Sequence, residues 1–305
     1  MASPAAFRKA FRAMGSPCEI RLVAGTDAAA RGIADTIVTM VEALEARYSR
    51  YRATSLLAAV NRAAAAGGAI DVDDETASLV DYAATCHRES GGLFDVTSGV
   101  LRGAWDFAGG RLPEPSRVAA LLPRVGWDKV DWRRPTLRFT VPGMELDLGG
   151  IVKEYAADRA AALAREHGAS GGFVNLGGDI AIVGPRADGG AWTIGVRDPH
   201  CAGASLASVR LRSGALASSG DYERCIVVDG IRYGHILHPR TGMPARGLSS
   251  VSVVADLCTV AGSAATIAML KERDGPAWLA VLGWPHLWVD DRGRVGGSLA
   301  DDGVA

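Results

Sequence analysis

The chain reads as an α+β protein with a mainly antiparallel sheet and flanking helices. Three observations carry that reading. Helical periodicity is concentrated in the first third of the sequence. Short apolar or alternating runs follow one another closely after Gly172. Asp229-Gly230 separates two such runs by only two residues, the spacing of a tight hairpin. The strands after Gly172 lie too close together for helical crossovers, which excludes a parallel Rossmann sheet.

Residues 18–24 alternate apolar and polar, as a half-buried strand does. A helix is expected over 27–50, where Ile33, Ile37, Val41, Leu44 and Tyr48 recur at helical spacing. The polar turn 48–55 leads into a short helix ending near Asn61, and the alanine-rich run 63–68 reads as a loop. A helix over 74–90 takes Asp73 or Asp74 as its cap and stops at Gly91-Gly92. The stretch 92–99 ends that helix and starts another. Residues 111–124 carry Pro113, Pro115 and Pro123 and read as a surface loop with a short helix. Further strands are expected at 129–132, 136–140, 173–176, 179–183, 192–196, 205–211, 225–228, 231–233, 250–255 and 287–289. A helix is expected over 259–271, and a frayed polar end at 298–305. The chain, 1–305, reads as one domain with room for two lobes.

Composition removes several function classes. Of 305 residues, 48% are apolar and 22% charged, an ordinary balance for a soluble domain. A net charge of −1 provides no basic field for nucleic acid or an anionic membrane surface. No run of about 18 apolar residues exists, so no membrane span is expected. Residues 1–12 are basic but lack the apolar core of a signal peptide. The five cysteines are scattered, form no Cys-x-x-Cys pair and are odd in number. A reducing cytoplasmic setting is expected.

The chemistry concentrates in Met144-Glu145-Leu146-Asp147-Leu148-Gly149-Gly150-Ile151-Val152-Lys153-Glu154-Tyr155. A short apolar strand meets an aspartate, a Gly-Gly turn, and a helix over 150–167 with Ile151, Tyr155 and Leu163 near one face. The first N–H groups of such a helix have no partner within it and carry partial positive charge. Gly149 and Gly150 let an anion approach that backbone, and Lys153 adds a full charge. A second glycine-rich strand end, Asn175-Leu176-Gly177-Gly178-Asp179, follows about 25 residues on, a pairing that suggests a nucleotide or phosphate site. The alternative is a tight turn followed by a solvated lysine, with Asn175 and Asp179 tying down the Gly177-Gly178 turn.

Five blocks in order then give a resemblance: Met14-Gly15-Ser16; residues 48–61; Gly92-Leu93-Phe94-Asp95-Val96-Thr97 with Trp105-Asp106-Phe107; residues 146–184; and residues 217–270. Together they resemble the ApbE family, the magnesium-dependent FAD:protein FMN transferases. The resemblance implies a T-fold-like architecture and a flavin site. It implies transfer of FMN from FAD to a threonine hydroxyl of an acceptor flavoprotein, with AMP released and Mg²⁺ as cofactor. Acceptors present a Ser/Thr-rich segment; none is evident in this chain, so self-modification is not expected.

By that resemblance Met14, Leu93, Phe94, Asp95, Asp147, Lys153 and Leu237 fall on flavin-nucleotide contacts, and His235 and Lys153 are the catalytic candidates. Asp95 has a second reading, as a helix cap before Val96-Thr97, and His235 another, fixing a turn by hydrogen bonds. His238 stands where the family has an aspartate in His-Ile-x-Asp-Pro-x-Thr-Gly. Ser218-Ser219-Gly220-Asp221-Tyr222 and Arg224 match a further motif. The metal is expected at the Gly150 carbonyl and the Thr266 hydroxyl. Gly262, however, occupies the position of the family's magnesium aspartate, one helical turn before Thr266. Glycine within a helix costs about 1 kcal/mol against alanine, which suggests that something packs close to it. Three readings follow: a transferase with a rebuilt metal site using Asp256, Asp179, water and the FAD phosphates; a hydrolase splitting FAD to FMN and AMP; or a flavin binder without catalysis.

Overall fold

The computed structural model describes residues 6–201, 203–222 and 224–301. Phe7–Ala13 (β1) and Ser16–Val23 (β2) form a hairpin closed by Met14 and Gly15, with φ of 51° and 74°. Positive φ at both turn positions matches the twist of the flanking strands. Asp27–Tyr48 (α1) is capped by Thr26 and buries Ile33, Ile37, Val41, Leu44 and Tyr48, as their spacing predicts. Leu56–Ala66 (α2) runs through the alanines expected to form a loop. Alanine is the best helix former, and the helix stops only where Gly67 turns left-handed.

Ala69–Asp71 (β3) precedes Asp74–Glu89 (α3), whose cap is Asp73. A 3₁₀ segment, Val96–Gly103, is capped by Asp95, and Pro115–Leu121 (α4) is the short helix of the proline-rich loop. Val130–Arg133 (β4) and Thr136–Phe139 (β5) join β3 in a small sheet ordered β3-β5-β4. Val152–Glu166 (α5) follows. Then come Gly171–Leu176 (β6), Asp179–Gly184 (β7), Trp192–Arg197 (β8), Ser205–Leu211 (β9) and Ala215–Gly220 (β10). The Asp229-Gly230 hairpin is present, joining Cys225–Val228 (β11) to Ile231–Gly234 (β12). Leu248–Ala255 (β13), Cys258–Leu270 (α6), Gly275–Leu282 (α7), His286–Asp290 (β14), Val295–Gly296 (β15) and Ser298–Asp301 (α8) complete the described chain. Of the end expected to fray, Ser298–Asp301 is helical and the remainder lies outside the described residues.

The main sheet is ordered β1-β2-β6-β7-β10-β13-β14-β15, antiparallel at every pairing. Alternation within its strands builds two cores. Val174, Leu176, Ala181, Val183, Ala215, Ala217, Val251 and Val253 face the helices α1, α5 and α6. Phe173, Ile180, Ile182, Leu216, Leu287 and Val289 face the β8–β9 hairpin on the other side. A third cluster gathers Val100, Leu101, Ala104, Trp105, Val118, Ile226 and Leu237 around the 3₁₀ segment.

The helix α5 differs from its expected form. Its buried face is Val152, Ala156, Ala157, Ala160, Ala161 and Ala164, with Glu154 among them, whereas Tyr155 and Leu163 are only partly buried. It packs on α6, which buries Ala261, Gly262, Ala264, Ala265 and Ala268. Asp158 fixes their register. Its carboxylate accepts the N–H of Cys258 at 2.7 Å, and the N–H and hydroxyl of Thr259 at 2.9 and 2.7 Å, capping α6 from the neighbouring helix. One turn along each helix, Glu154 meets Gly262. The helices are therefore antiparallel, so the start of α5 lies towards the half of α6 that carries Thr266. Among the described residues no helix is long and apolar enough to cross a membrane. The five cysteines are free.

Because Asp158 supplies all three capping bonds, Asp158→Ala should cost about 1–2 kcal/mol of stability, the scale of a lost N-cap. Urea unfolding monitored by circular dichroism checks this; an unchanged midpoint would mean that the register rests on the alanine contacts alone.

Candidate functional site

The Gly149–Lys153 turn opens onto a cleft with two lobes, of about 300 and 370 Å³, the size of small-ligand sites. Both lobes share Arg102, Asp147, Gly149, Lys153 and His235. Leu93, Phe94, Asp95, Gly150, Leu237 and Thr266 line the smaller lobe, and Met14, Tyr48, Arg50, Tyr51 and Arg224 the larger. Every residue expected to contact the flavin nucleotide, the metal or the reacting groups thus lies on this cleft, with Asp147, Lys153 and His235 where the lobes meet.

Lys153 is not a solvated lysine. Its Nζ lies 2.7 Å from Asp179 Oδ2, and Asp179 is 1% exposed. Asp179 Oδ1 accepts the Ser218 N–H at 3.1 Å, so the pair links α5 to the central strand β10. The Asn175 side chain accepts the Gly178 N–H at 2.8 Å and ties the turn beside it. Gly177 is required there: φ is 67°, and a Cβ would stand 2.7 Å from that of Ser16.

Asp147 and Asp95 are engaged by the protein itself. Asp147 Oδ2 accepts from Arg50 at 3.2 Å and Arg102 at 3.0 Å, and Oδ1 from the Gly149 N–H at 2.8 Å. Its three donors come from three separate segments, which it pins at the junction of the lobes. Asp95 Oδ1 accepts the N–H and hydroxyl of Thr97 at 2.8 and 2.6 Å, while Oδ2 accepts the Trp127 N–H at 3.0 Å. It is the helix cap of its alternative reading, and its carboxylate holds the wall of the smaller lobe. Phe94 packs on Gly150, where a Cβ would lie 3.4 Å from its ring. Met14 reaches the larger lobe from a residue held at φ 51°, a costly conformation for a side chain of its size.

His235 is half-buried, and among the described residues its Nδ1 has no hydrogen-bond partner. Burial, followed by the positive charges of Arg102 and Arg224, pushes its pKa down to about 4. At neutral pH it is a neutral imidazole, able to accept a proton. His238 compensates for the missing aspartate of its motif: its Nδ1 accepts the Arg240 N–H at 3.2 Å, a turn bond that a carboxylate can also make. The Thr266 hydroxyl lies 2.7 Å from that of Ser219. Asp256 is exposed and lines neither lobe, so it is not a rebuilt metal ligand.

The position of Gly262 is filled from the other helix. A Cβ there would lie 2.5 Å from Glu154 Cγ and 2.9 Å from its Oε1. The glycine is the space into which Glu154 folds, not a gap beside Thr266. Burial, reinforced by the charge of Asp179 and offset by Lys153, holds the Glu154 carboxyl well above the usual carboxylate range.

A family model described as the ApbE family matches residues 14–284. The chain belongs to the ApbE family. The FAD:protein FMN transferase of Treponema pallidum (strain Nichols) is 31% identical over 97% of this chain and 88% of its own length. The ApbE protein of Thermotoga maritima superposes with a TM-score of 0.89 at 32% identity, covering 97% of this chain and 98% of that one. The flavin transferase ApbE of Vibrio cholerae gives 0.81 at 26%, covering 97% and 99%. The ApbE relatives are enzymes, and their α+β architecture is the one seen here.

The residues missed in the sequence are Arg50, Arg102 and Glu154. Arg50 stands in a polar turn that reads as a connection. Arg102 lies on a 3₁₀ segment without the periodicity that marks a face. Glu154 looks like an ordinary first-turn acid of a helix.

Asp147→Asn leaves the Gly149 bond possible but removes the charge that holds two guanidinium groups. Stability should fall by about 1–3 kcal/mol, the scale of bonds to charged groups. Chemical denaturation checks this, and a wild-type midpoint would mean that Glu145, the other carboxylate on Arg50, holds the cleft without Asp147.

Proposed function

We propose that this chain transfers FMN from FAD to a threonine hydroxyl of an acceptor protein and releases AMP. The observation that carries the reading is the meeting of the two lobes at Lys153, Arg102 and His235. A dinucleotide with one nucleotide in each lobe sets its pyrophosphate against those groups. Lys153, tethered by Asp179, and Arg102, tethered by Asp147, are held in place before substrate arrives, so their charge acts without reorganisation. The flavin-nucleotide contacts fall to Met14, Leu93, Phe94 and Leu237 as apolar walls. Asp95 and Asp147 act as supports that shape those walls.

Phosphoryl transfer demands positioning and charge neutralisation more than covalent help. The acceptor oxygen forms a bond to the FMN phosphorus as the bond from that phosphorus to the AMP oxygen breaks. The hydroxyl proton passes to a base, for which neutral His235 stands at the junction. The two negative charges of a bound pyrophosphate oppose those of Arg102 and Arg224, so substrate raises the affinity of His235 for that proton.

A divalent cation fits the smaller lobe. Among the described residues no three His, Cys, Asp or Glu side chains gather as a metal cluster. Mg²⁺ asks for less, using one or two carboxylates with waters and substrate phosphates. The Gly150 carbonyl, the Thr266 hydroxyl and a Glu154 carboxylate whose Oε2 lacks a hydrogen-bond partner are all oxygen donors on one wall. When bound, such an ion would offset the phosphate charge. The non-catalytic reading rested on the absence of an oxygen at Gly262; with Glu154 in that space it loses its motivation. An acceptor bearing an exposed Ser/Thr-rich segment and a reducing cytoplasmic setting, suited to five free cysteines, complete the proposal.

Incubation with FAD, Mg²⁺ and a threonine-bearing acceptor should add one FMN group to the acceptor by mass spectrometry; release of free FMN with an unmodified acceptor would make the chain a hydrolase instead. Lys153→Ala should weaken FAD binding by about 1–3 kcal/mol in calorimetric titration, the scale of a charge-assisted contact. Equal wild-type affinity for FAD and FMN would argue against a two-lobed nucleotide site.

The third expectation concerns pH. In the free protein His235 should titrate at about 4 by NMR. It should therefore be neutral across pH 5–8, and its pKa should rise on adding FAD. An unmoved resonance would take His235 away from the pyrophosphate.

A further inference from the structure

We propose that Glu154, on α5, supplies the carboxylate ligand of the divalent cation, entering from the helix opposite the one that carries Thr266. The inference rests on the phosphoryl-transfer reading above and assigns a ligand that its family resemblance does not.

Space is the first argument. Glu154 Cγ, Cδ and Oε1 lie 2.5, 3.0 and 2.9 Å from where a Cβ at Gly262 would be, so the carboxylate enters the volume of an absent α6 side chain. Register is the second. Asp158 locks the start of α6 and Glu154 meets Gly262 one turn on; Thr266 follows one turn further along α6, and Gly150 lies in the turn that leads into α5. Glu154, Gly150 and Thr266 all line the same lobe.

Charge is the third argument. Glu154 is 6% exposed, and among the described residues its Oε2 has no hydrogen-bond partner. A buried carboxylate in that condition is costly unless it is paired or binds a metal. The nearby lysine, Lys153, is already ion-paired to Asp179 at 2.7 Å. With Glu154 ionised, as a metal ligand would be, two carboxylates and one ammonium leave a net negative charge, and a pyrophosphate arriving beside them deepens it. A divalent cation between Glu154 and the phosphates resolves both deficits.

The test uses the full chain loaded with FAD, with Mn²⁺ followed by electron paramagnetic resonance and displaced by Mg²⁺. Glu154→Gln preserves shape and removes the charge. It should weaken Mn²⁺ binding on the order of 10–100-fold, while its metal-free melting temperature is no lower than that of the wild type. Unchanged Mn²⁺ affinity in that variant, or no Mn²⁺ binding by the wild type, overturns the proposal.

Gly262→Asp alone should lower the melting temperature without tightening Mn²⁺ binding. The exchange Glu154→Gly with Gly262→Asp should recover most of the affinity lost in Glu154→Gln. A stable, tighter-binding Gly262→Asp single variant would show that Glu154 does not occupy the ligand position. The two readings fail separately. If Glu154→Gln loses Mn²⁺ while the wild type never modifies a threonine acceptor, the transferase reading falls and the ligand assignment stands. If transfer proceeds and the variant binds Mn²⁺ normally, the reverse holds.

Discussion

The close approach of α5 and α6 is the constraint from which the rest of the cleft follows. Their facing surfaces are mainly alanine and glycine, so the two backbones come close together, with the Glu154 side chain folded into the space at Gly262. Small residues provide little packing energy each, and their value here is geometric. Asp158 sets the register from one end, and the Gly149–Lys153 turn is delivered at the other. A bulky residue anywhere on this seam would move the Gly149–Lys153 turn relative to Thr266. The Lys153–Asp179 pair then fastens that turn to the sheet through Ser218, so helix and strand cannot drift apart.

Most of the fold was legible from periodicity and turn chemistry. The amphipathic stripe of α1, the Asp229-Gly230 hairpin and the strand β9 stand where their residue patterns put them. The elements that escaped did so for identifiable reasons. The strand β1 lies at the sheet edge, and its Arg and Lys residues blunt the alternation that marks a buried strand. The strand β10, Ala-Leu-Ala-Ser-Ser-Gly, has none of the β-branched or aromatic residues that favour strands; its neighbours β7 and β13 impose the conformation. The alanines 63–66 lack any polar-apolar contrast, which hides a helix that alanine itself favours.

The cleft was legible where a motif announces itself in consecutive residues and illegible where it depends on tertiary partners. Gly149, Gly150 and Lys153 could be read as an anion-binding turn because strand, turn and helix start are contiguous. That Asp147 is held by Arg50 and Arg102 could not be read, since those residues are 97 and 45 positions away. The same limit applies to Gly262. In one dimension it is a ligand position without a ligand; in three it is the contact surface of Glu154, 108 residues earlier in the chain.

The tightness of that contact has a consequence for how such a chain can vary. Any β-carbon at position 262 invades the glutamate at 154, so the two positions cannot both carry carboxylates in this packing. Residue-by-residue comparison would score position 262 as a lesion, whereas comparison of the two helices would count one acid facing the Gly150–Thr266 wall.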